Sequence, residues 1–553
     1  MQAEQTGERE QTAWSEIDWA AAEATVRRLQ DRIYRAAAAG KHRQVKNLQK
    51  LLVRSRSAKR LAVRKVTQQN AGRNTPGVDG VVCKTPESRM RLVDGLSLRG
   101  HRPHPVRRVH IPKSEGRTRP LGIPTIRERA LQMLVKMALE PEWETRFETN
   151  SYGFRPGRCT MDAIVALHLT LAHSGASAWL LDADISGCFD NIGHQPLLAR
   201  LPVFTTTIRR WLKAGVVEMG TWKPTTTGVP QGGPLSPLVA NIALDGMERL
   251  FGAEDKKDRH LPPSRRGDAN RGIGLVRYAD DLVVTAPTRE VLETYVVPKL
   301  NAFLAERGLQ LSEAKTRIVH IDEGFNFLGF TVRRHRGVVL TRPQKEKVVQ
   351  HLRTIHDYLR RHRQTTPSQI IGDLAPVIRG WTNYYRHGAS KQVFHAADHD
   401  IQAALWQWAK RRHPTKPAAW IRSRYFDSRW NFVDGQRRLA RHDEVPITRH
   451  SKVQGKRSPL NPDDREYWEL RRLRRLTKTV RSSKRLALLR RQNCKCAMCG
   501  VGFDPDEDLS LIDAHHITPR CHDGTDQLDN LQLVHRWCHH AHHTRTVYRA
   551  AEA

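Results

Sequence analysis

Two adjacent carboxylic acids, Asp280 and Asp281, interrupt an apolar, β-branched segment that reads LVRYADDLVV at residues 275–284. A β-turn explains the pair most simply, because aspartate is favoured in turns. A chemical explanation is also open, because two like charges placed side by side repel each other unless a cation lies between them. The pair therefore predicts either a structural turn between two strands or part of a metal site.

A third acid would complete that metal site. The segment AWLLDADISGCFDNI, residues 178–192, predicts a buried strand that ends at Asp184. If this strand lies beside the hairpin that carries Asp280 and Asp281, three carboxylates meet at one end of a sheet. Such a cluster can hold two divalent cations about 4 Å apart, which suits an in-line displacement at phosphorus. Asp190 fits a structural role near the next turn.

A second candidate metal site lies near the end of the chain, which reads CKCAMCG at residues 494–500 and VHRWCHHAHH at residues 534–543. In a long basic chain, clustered cysteines indicate metal binding more than disulfides. Cys494 competes with Cys496 as a ligand, and the two-residue spacing favours Cys496. Two pairs with this spacing predict a closed, tetrahedral, structural zinc site with the ligands Cys496, Cys499, His535 and Cys538.

The elements that must position these groups can be read from the apolar periodicity. Helical spacing from Trp14 to about Val66 predicts helices, and the loop QQNAGRNTPGVDG follows at residues 68–80. Strands and helices mix from about residue 80 to 335, and basic helices come after them. A helix near residue 380 is expected to direct Arg379 and Arg386 outward and to bury one aromatic face, formed by Trp381, Tyr384 and Tyr385.

The charge balance indicates the class of partner. The chain has 553 residues, with 93 Lys and Arg against 57 Asp and Glu, and a formal charge of +36. Such a chain is expected to bind a polyanion, usually a nucleic acid, and a membrane surface is the weaker alternative. No apolar run approaches the roughly 18 residues of a spanning helix, and MQAEQTGEREQTAW at the start has no apolar signal core. We therefore expect a cytoplasmic protein.

Seven motifs resemble, in order, the reverse transcriptase motifs of group II intron-encoded proteins. They are RRVHIPKSEGRTRPLGIPTIRERALQ (107–132), NSYGFRPGRCTMDAI (150–164), LLDADISGCFDNI (180–192), GVPQGGPLSPLVANIALDGME (228–248), LVRYADDLVV (275–284), LQLSEAKTRIVHI (309–321) and GFNFLGF (324–330). Between the two cysteine pairs, DAHHI and DNL resemble the motif of HNH nucleases.

This resemblance implies an α+β, right-hand polymerase with fingers, palm and thumb, together with a zinc-braced ββα-metal HNH domain. It implies the following divisions: a helical, RNA-binding N-terminal extension (1–75), reverse transcriptase fingers and palm (76–338), a thumb or maturase domain X (339–400), a basic DNA-binding region (401–484) and the HNH endonuclease (485–553).

The resemblance also implies roles for individual residues of the polymerase. Lys315 would protonate the leaving pyrophosphate, and Phe189 would lie under the sugar of the incoming nucleotide and favour dNTPs over NTPs. Contacts to the nucleotide and template would come from Lys113, Arg119 and Gln231. Two Mg²⁺ ions would be held by Asp184, Ile185, Asp280 and Asp281, with Asp281 in an assisting role.

For the HNH domain, the resemblance implies that His516 is the general base toward water. Asn530 would orient this base or approach the metal. His539 and His543, four residues apart, would lie on one face of a helix. The divalent metal that holds the phosphate would be bound by His515, Asn530, His539 and His543. The alternative is a histidine-rich tail that captures metal without catalysis.

The implied function is multifunctional: an RNA-directed DNA polymerase, a maturase that assists splicing of its intron RNA, and an endonuclease that cuts the second DNA strand to prime cDNA synthesis. The implied partners are the intron RNA, target DNA and dNTPs, and no membrane. Two alternatives stay open, a cellular reverse transcriptase detached from its intron in defence or repair, and an RNA-binding maturase that acts only in splicing.

We predict that RNA binding is largely electrostatic. Each phosphate neutralised by lysine or arginine adds about one unit to the slope of log affinity against log salt, so affinity measured by filter binding should fall steeply as salt rises. A specific component should remain for the folded intron. Equal affinity for intron RNA and unrelated RNA of the same length at moderate salt would contradict the maturase interpretation.

Overall fold

In the computed structural model of the chain, residues 14–112, 118–173, 175–254, 260–479, 482–503, 512–540 and 542–543 are described. The first part is a group of packed helices, α1 (Trp19–Ala38), α2 (His42–Arg54), α3 (Arg56–Arg64) and α4 (Pro86–Gly95), with a π-helical turn at Lys65–Gln69. Helix α1 begins after Asp18, whose carboxylate accepts a hydrogen bond from the Ala21 amide at 2.9 Å and so satisfies a free helix N–H. The predicted helical region from Trp14 to about Val66 is confirmed.

Strands and short helices alternate from residue 106 to 343, as predicted for this region. The strands are β1 (Val106–Pro112), β2 (Thr118–Ile123), β3 (Trp179–Asp184), β4 (Val216–Glu218), β5 (Thr221–Lys223), β6 (Gly274–Tyr278), β7 (Asp281–Ala286), β8 (Arg317–His320), β9 (Phe325–Phe327), β10 (Phe330–His335) and β11 (Val338–Pro343). The helices are α5 (Ile126–Glu144), α6 (Thr160–Ala172), α7 (Cys188–Asn191), α8 (His194–Ala199), α9 (Thr205–Leu212), α10 (Ser236–Leu244), α11 (Arg289–Val291) and α12 (Val297–Ala305), with a π-helical turn at Leu292–Val296.

The central sheet has the strand order β6-β7-β3-β8, and its neighbouring strands are antiparallel. Side chains alternate between its two faces, because successive residues of a strand point in opposite directions. Leu181 and Leu282 belong to the core that also contains the N-terminal helices. Leu180 and Val283 belong to a second core, which includes α6 and the sheet β11-β10-β9. The sheet is therefore covered on both faces, and its ends remain for chemistry.

A second four-stranded sheet, β2-β1-β4-β5, forms a separate layer. Strands β1 and β2 form an antiparallel hairpin, and β1 pairs with β4 in parallel. The amide of Gly122, in β2, donates a hydrogen bond to the carbonyl of Gln231 at 2.7 Å. This bond ties the second sheet to the PQGG loop that precedes α10.

The next part of the chain is helical and has its own core. Its elements are α13 (Lys345–Arg361), α14 (Pro367–Tyr385), α15 (Lys391–Arg412), α16 (Ala418–Tyr425) and the short hairpin of β12 (Val433–Asp434) and β13 (Arg437–Arg438). Ile355, Ile370 and Leu405 are buried in this core, which continues to Leu439.

The aromatic face predicted in α14 is confirmed, since Tyr385 is buried and its neighbours pack beside it in the second core, Trp381 and Tyr384. Arg379 is exposed, as expected. The expectation for Arg386 is wrong: this residue is buried, and its Nη2 donates a hydrogen bond to Thr448 Oγ1 at 2.8 Å. Arg386 directly follows Tyr385 at the end of the helix, where segment 446–450 packs over it and takes the guanidinium from solvent.

The C-terminal part consists of α17 (Arg465–Thr479), α18 (Ser483–Arg491) and the antiparallel pair β14 (Ile512–His516) and β15 (Leu531–His535). Its small core includes Leu476, Leu488, Phe503 and Leu533. Among the helices of the described ranges, including those in this part, none is both long and apolar enough to cross a lipid bilayer.

Three of the boundaries drawn from the sequence fall inside structural elements. The division at 338/339 lies within β11, that at 400/401 within α15, and that at 484/485 within α18. A fourth, at 75/76, separates α4 from the helices with which it shares a core. These elements pack as whole units against their cores, and the division of the chain into domains stays a prediction.

Candidate active sites

The predicted acids meet at one end of the central sheet. Strand β3 pairs with β7 in a register that places Asp184 opposite Asp281. Asp280 occupies the turn between β6 and β7, where Ala279 adopts a left-handed conformation with φ of 59°. The strand that ends in one acid therefore lies directly beside the hairpin that carries the other two. Ile185 directly follows Asp184 in the chain. Its side chain is buried and apolar, so only its main-chain carbonyl could bind a metal.

Arg277 holds this turn through hydrogen bonds, and the sequence did not predict this role. The side chain is 1% exposed. Its guanidinium donates hydrogen bonds to the carbonyl of Ala279 at 3.0 Å and to Ser151 Oγ at 2.7 Å. Gly153 packs so closely against Ala279 that a Cβ would lie 2.3 Å from the Ala279 nitrogen. An arginine in an otherwise apolar strand was the available signal.

The three carboxylates repel one another when no cation lies between them. Desolvation of the carboxylate, followed by the charges of Asp280 and Asp184, raises the pKa of Asp281 to about 7. The side chain nevertheless stays in contact with solvent. Burial raises the pKa of Asp280, and the charge of Asp184 adds to the effect. Lys315 donates a hydrogen bond to Asp184 Oδ2, so this predicted residue lies at the acid cluster.

The predicted nucleotide contacts surround the same end of the sheet. Phe189 is buried and meets Phe154 edge to face, with ring centroids 6.2 Å apart. Arg119 Nε donates a hydrogen bond to Gln231 Oε1 at 2.7 Å, so these two predicted residues come together. Gly232 has φ of +128°, and a Cβ on it would lie 2.8 Å from the carbonyl of Gly122. Lys113 lies outside the described residues.

The predicted zinc ligands also come together. Their potential ligand atoms lie within 4.8 Å of one another. His535 Nδ1 is 3.5 Å from Cys499 Sγ, and the His535 amide donates a hydrogen bond to Cys496 Sγ at 3.4 Å. Hydrogen bonds from the neighbouring thiols lower the pKa of Cys496, whereas burial raises the pKa of the competing Cys494. Three sulfur atoms and one imidazole nitrogen form the donor set that suits tetrahedral zinc.

His515, His539 and His543 form a second cluster, whose ligand atoms lie within 4.8 Å of one another. The Nε2 atoms of His539 and His543 are 3.0 Å apart. His539 Nδ1 is 3.2 Å from Asp513 Oδ2, so this carboxylate, which the sequence reasoning missed, can orient the ring. Burial and the nearby histidines lower the pKa of His515 to about 4. The imidazole is therefore neutral at physiological pH, as a metal ligand must be.

His516 lies on the opposite face of β14, as predicted, and its Nε2 is 2.7 Å from Asp526 Oδ1. Arg520 donates hydrogen bonds to both oxygens of Asp526. A positioned carboxylate holds one ring nitrogen of a histidine and leaves the other to accept a proton. Asp526 was not predicted, although an acid ten residues after a candidate base was visible in the sequence.

The role predicted for Asn530 needs correction. Its Oδ1 accepts a hydrogen bond from the Thr518 amide at 2.8 Å, and its Nδ2 donates to the carbonyls of Thr518 and Thr525. The amide is thus occupied in closing the loop that follows His516, and we do not retain it as a metal ligand. The loop also carries Asp526, the partner of His516, and an orienting role of Asn530 toward the base stays a prediction.

Comparison with known families agrees with this arrangement. Four family profiles match in order: "N-terminal domain of reverse transcriptase" at residues 14–96, "Reverse transcriptase (RNA-dependent DNA polymerase)" at 111–332, "Group II intron, maturase-specific domain" at 348–426 and "HNH endonuclease" at 496–545. The maturase and HNH matches favour an intron-encoded protein over a detached cellular reverse transcriptase.

Similar curated proteins include two from bacteria and one from Euglena gracilis. Protein YkfC of Escherichia coli is 35% identical over 318 residues, which cover 51% of this chain and 84% of that protein. Group II intron-encoded protein LtrA of Lactococcus lactis subsp. cremoris is 29% identical over 334 residues, 50% of this chain and 55% of LtrA. Maturase-like protein 1 of Euglena gracilis is 23% identical over 378 residues, 65% of this chain and 74% of that protein.

The order of domains, the acids at the sheet end and the extent of these similarities lead to one assignment. The chain has the right-hand polymerase fold of a reverse transcriptase, followed by a maturase domain and an HNH domain. It belongs to the group II intron-encoded proteins, as a multifunctional reverse transcriptase and maturase with an HNH endonuclease domain.

Proposed function

We propose that this protein copies its intron RNA into DNA from a primer that its own HNH domain creates by cutting the second strand of the target. The observation that carries the proposal is the meeting of Asp184, Asp280 and Asp281 at one open end of the central sheet. We propose further that the partners are the intron RNA, which the N-terminal helices and α13–α15 bind and help to fold for splicing, the target DNA and dNTPs.

The acid cluster fits two Mg²⁺ ions, because carboxylate oxygens are hard ligands. Burial, and after it the charges of Asp280 and Asp184, raise the pKa of Asp281, and bound cations would offset both effects. Asp184 and Asp280 would bind both ions, Asp281 would assist, and Ile185 would contribute its main-chain carbonyl. Bound magnesium would neutralise the charge that develops on the phosphate oxygens. Lys315, which reaches Asp184, would donate a proton to the leaving pyrophosphate.

The side chains around the acids would select and hold the nucleotide. Arg119 and Lys113 would contact the triphosphate, and the bond from Arg119 to Gln231 would align the fingers with the PQGG loop. Phe189, packed against Phe154, would present a fixed ring to the sugar. A fixed ring leaves little room for a 2′-hydroxyl, so it would favour dNTPs over NTPs.

In the HNH domain, we propose that zinc bound by the three cysteines and His535 stabilises the fold. His515, His539 and His543 would hold one divalent ion, which would bind the scissile phosphate and stabilise the leaving 3′-oxygen. His516 would take the proton from the attacking water. Asp526 would hold the tautomer of His516, because its contact with Nε2 leaves Nδ1 as the basic nitrogen.

Asp280→Ala should abolish primer extension on an RNA template while leaving RNA binding close to that of the wild type, because the ions lose a shared ligand and the RNA-binding surface is unchanged. A loss of at least about a hundredfold in rate is expected for removal of a group that stabilises transition-state charge. The matched control is Asp182→Asn, which changes an acid on β3, two residues before Asp184, that pairs with Arg317 at 3.3 Å. Extension at the wild-type rate by the Asp280 variant would overturn the active-site assignment.

Magnesium binding should release protons near neutral pH, because the ion binds ionised Asp281 and the pKa of this group is about 7 in the metal-free protein. Calorimetry at pH 6.5 in buffers of different ionisation enthalpy should detect up to about one proton released per chain. The release should vanish at pH 8.5, where the carboxylate is already ionised, and the apparent affinity for Mg²⁺ should weaken as the pH falls below 7. Asp281→Asn should remove the pH-dependent release, and its persistence would contradict the assignment.

His516→Ala should keep its zinc and its reverse transcription and should lose second-strand cleavage, since the residue is exposed to solvent on one side and lies outside the zinc cluster. His522→Ala, an exposed histidine of the same loop, is the matched control and should cut normally. Cys499→Ala should lose both zinc and cleavage, because a small module with few apolar anchors depends on its metal. The measurements are metal content, nicking and primer extension.

Two outcomes would revise these roles. Nicking by His516→Ala at the wild-type rate would place the base elsewhere. A full complement of zinc in Cys499→Ala would show that the ligand set is misassigned. Primer extension should survive in both variants, because the acid cluster lies on a separate core.

A further inference from the structure

Arg64, the last residue of α3, is a buried cation with an unusual partner. Arg64 is 2% exposed. Its side chain extends from the N-terminal helices toward the C-terminal module. Its Nη2 donates a hydrogen bond to Cys538 Sγ at 3.6 Å, across 474 residues of sequence. The guanidinium carbon lies 4.4 Å from the ring centroid of Trp19 and 6.0 Å from that of Trp537. Arg64 thus joins an N-terminal helix to a predicted zinc ligand.

The charge of Arg64 requires compensation, because a buried guanidinium without an anion is costly. Glu23 interacts with this charge, but burial raises the pKa of Glu23 and so disfavours its ionised form. Its Nη1 is buried and has no hydrogen-bond partner among the described residues. A neutral thiol is a weak acceptor. Three thiolates and one neutral imidazole around Zn²⁺ carry a net charge of −1, which would match the single positive charge of Arg64. The contact is therefore electrostatically favourable when the zinc site is loaded.

Other contacts place the same side of α1 against the C-terminal part of the chain. A Cβ built on Gly500, the residue after Cys499, would lie 3.3 Å from the Cβ of Ala20. Asp31 accepts a hydrogen bond from Arg465, and Arg35 lies 3.7 Å from Asp463. Burial raises the pKa of Glu23, and the charge of Arg64 opposes the rise. These residues recur at helical spacing and form one face of α1, opposite the face that packs in the core.

We propose that Arg64 is a positioning residue for the nuclease: by donating to zinc-bound Cys538, it docks the HNH module on the N-terminal helices and makes docking depend on zinc. The inference rests on the zinc site proposed above. Cys538 directly precedes His539 in one helical turn, residues 536–540. Holding Cys538 therefore also holds the histidine that faces the second metal cluster. The consequence is a fixed distance between the cutting site and the polymerase site that extends the new 3′-end.

The test is hydrogen exchange of the full-length protein, read by mass spectrometry, beside zinc content, nicking and primer extension. Arg64→Met keeps the length of the side chain and removes the charge. It should retain zinc and primer extension, raise amide exchange in residues 19–27 and 496–502 by about tenfold through easier local opening, and lower second-strand nicking by a similar factor. Arg64→Lys keeps the charge and should lie closer to the wild type than Arg64→Met. Arg56→Met, an exposed arginine of the same helix paired with Asp94, is the control and should behave as the wild type.

A second pair of variants leaves the buried arginine intact. Ala20 is exposed in the first turn of α1, where an acid favours the helix. Ala20→Glu would place a negative charge beside the anionic zinc knuckle and should raise exchange in residues 496–502, whereas Ala20→Arg should not. Removal of zinc by a chelator should raise exchange of residues 19–27 in the wild type, with no further rise in Arg64→Met.

The outcomes separate this inference from the function on which it rests. A wild-type protein without zinc would overturn the zinc site itself. A zinc-loaded wild type, with Arg64→Met and Ala20→Glu both showing wild-type exchange in residues 19–27 and 496–502, would overturn the docking role alone. Equal behaviour of Arg64→Lys and Arg64→Met would also overturn it, because packing of the side chain would then explain the contact without charge.

Discussion

The rest of the palm depends on one constraint, which is that Asp184, Asp280 and Asp281 must be held together although their charges repel one another. Three carboxylates stay together only if the backbone that carries them cannot move apart and a cation can enter between them. The register of β3 against β7 satisfies the first condition, because it sets Asp184 opposite Asp281. The open end of the sheet satisfies the second. Burial, together with the charges of Asp280 and Asp184, raises the pKa of Asp281 to about 7.

Rigidity of the sheet comes from its two covered faces. One core extends from the N-terminal helices to Leu181 and Leu282, and the other joins Leu180 and Val283 to α6 and the strands before the thumb. A shift of one residue in β3 would exchange these two sets of side chains between cores of different shape. Arg277 adds a local brace, because its hydrogen bonds to Ala279 and Ser151 hold the turn that presents Asp280.

The C-terminal module must also hold its candidate catalytic side chains in place, and it has fewer buried residues to do so. Its apolar core is small, so the proposed zinc site would supply part of the stability that side-chain packing supplies in the palm. The two histidines of DAHHI point to opposite faces of β14. His515 faces the metal cluster, and His516 faces Asp526. In the proposed mechanism, one strand thereby separates the metal ligand from the general base.

By itself, the sequence determined which side chains are the candidates for the chemistry. Ligand pairs such as Cys496-x-x-Cys499 are local, and the order of the motifs places Asp184 ahead of Asp280, so both could be read without coordinates. The helical character of residues 14–66, the mixed character of the region after them and the aromatic core face of α14 follow from periodicity, which is also local.

Only the tertiary structure decided the contacts between distant parts of the chain. Asn530 closes a loop through Thr518, Arg386 is buried by segment 446–450, and Arg64 meets Cys538 across 474 residues. Four predicted boundaries cut structural units for the same reason, because α4, β11, α15 and α18 each belong to the core on which they pack. The sequence gives the identity of each side chain directly, whereas the burial and the partners of that side chain depend on the elements that pack over it.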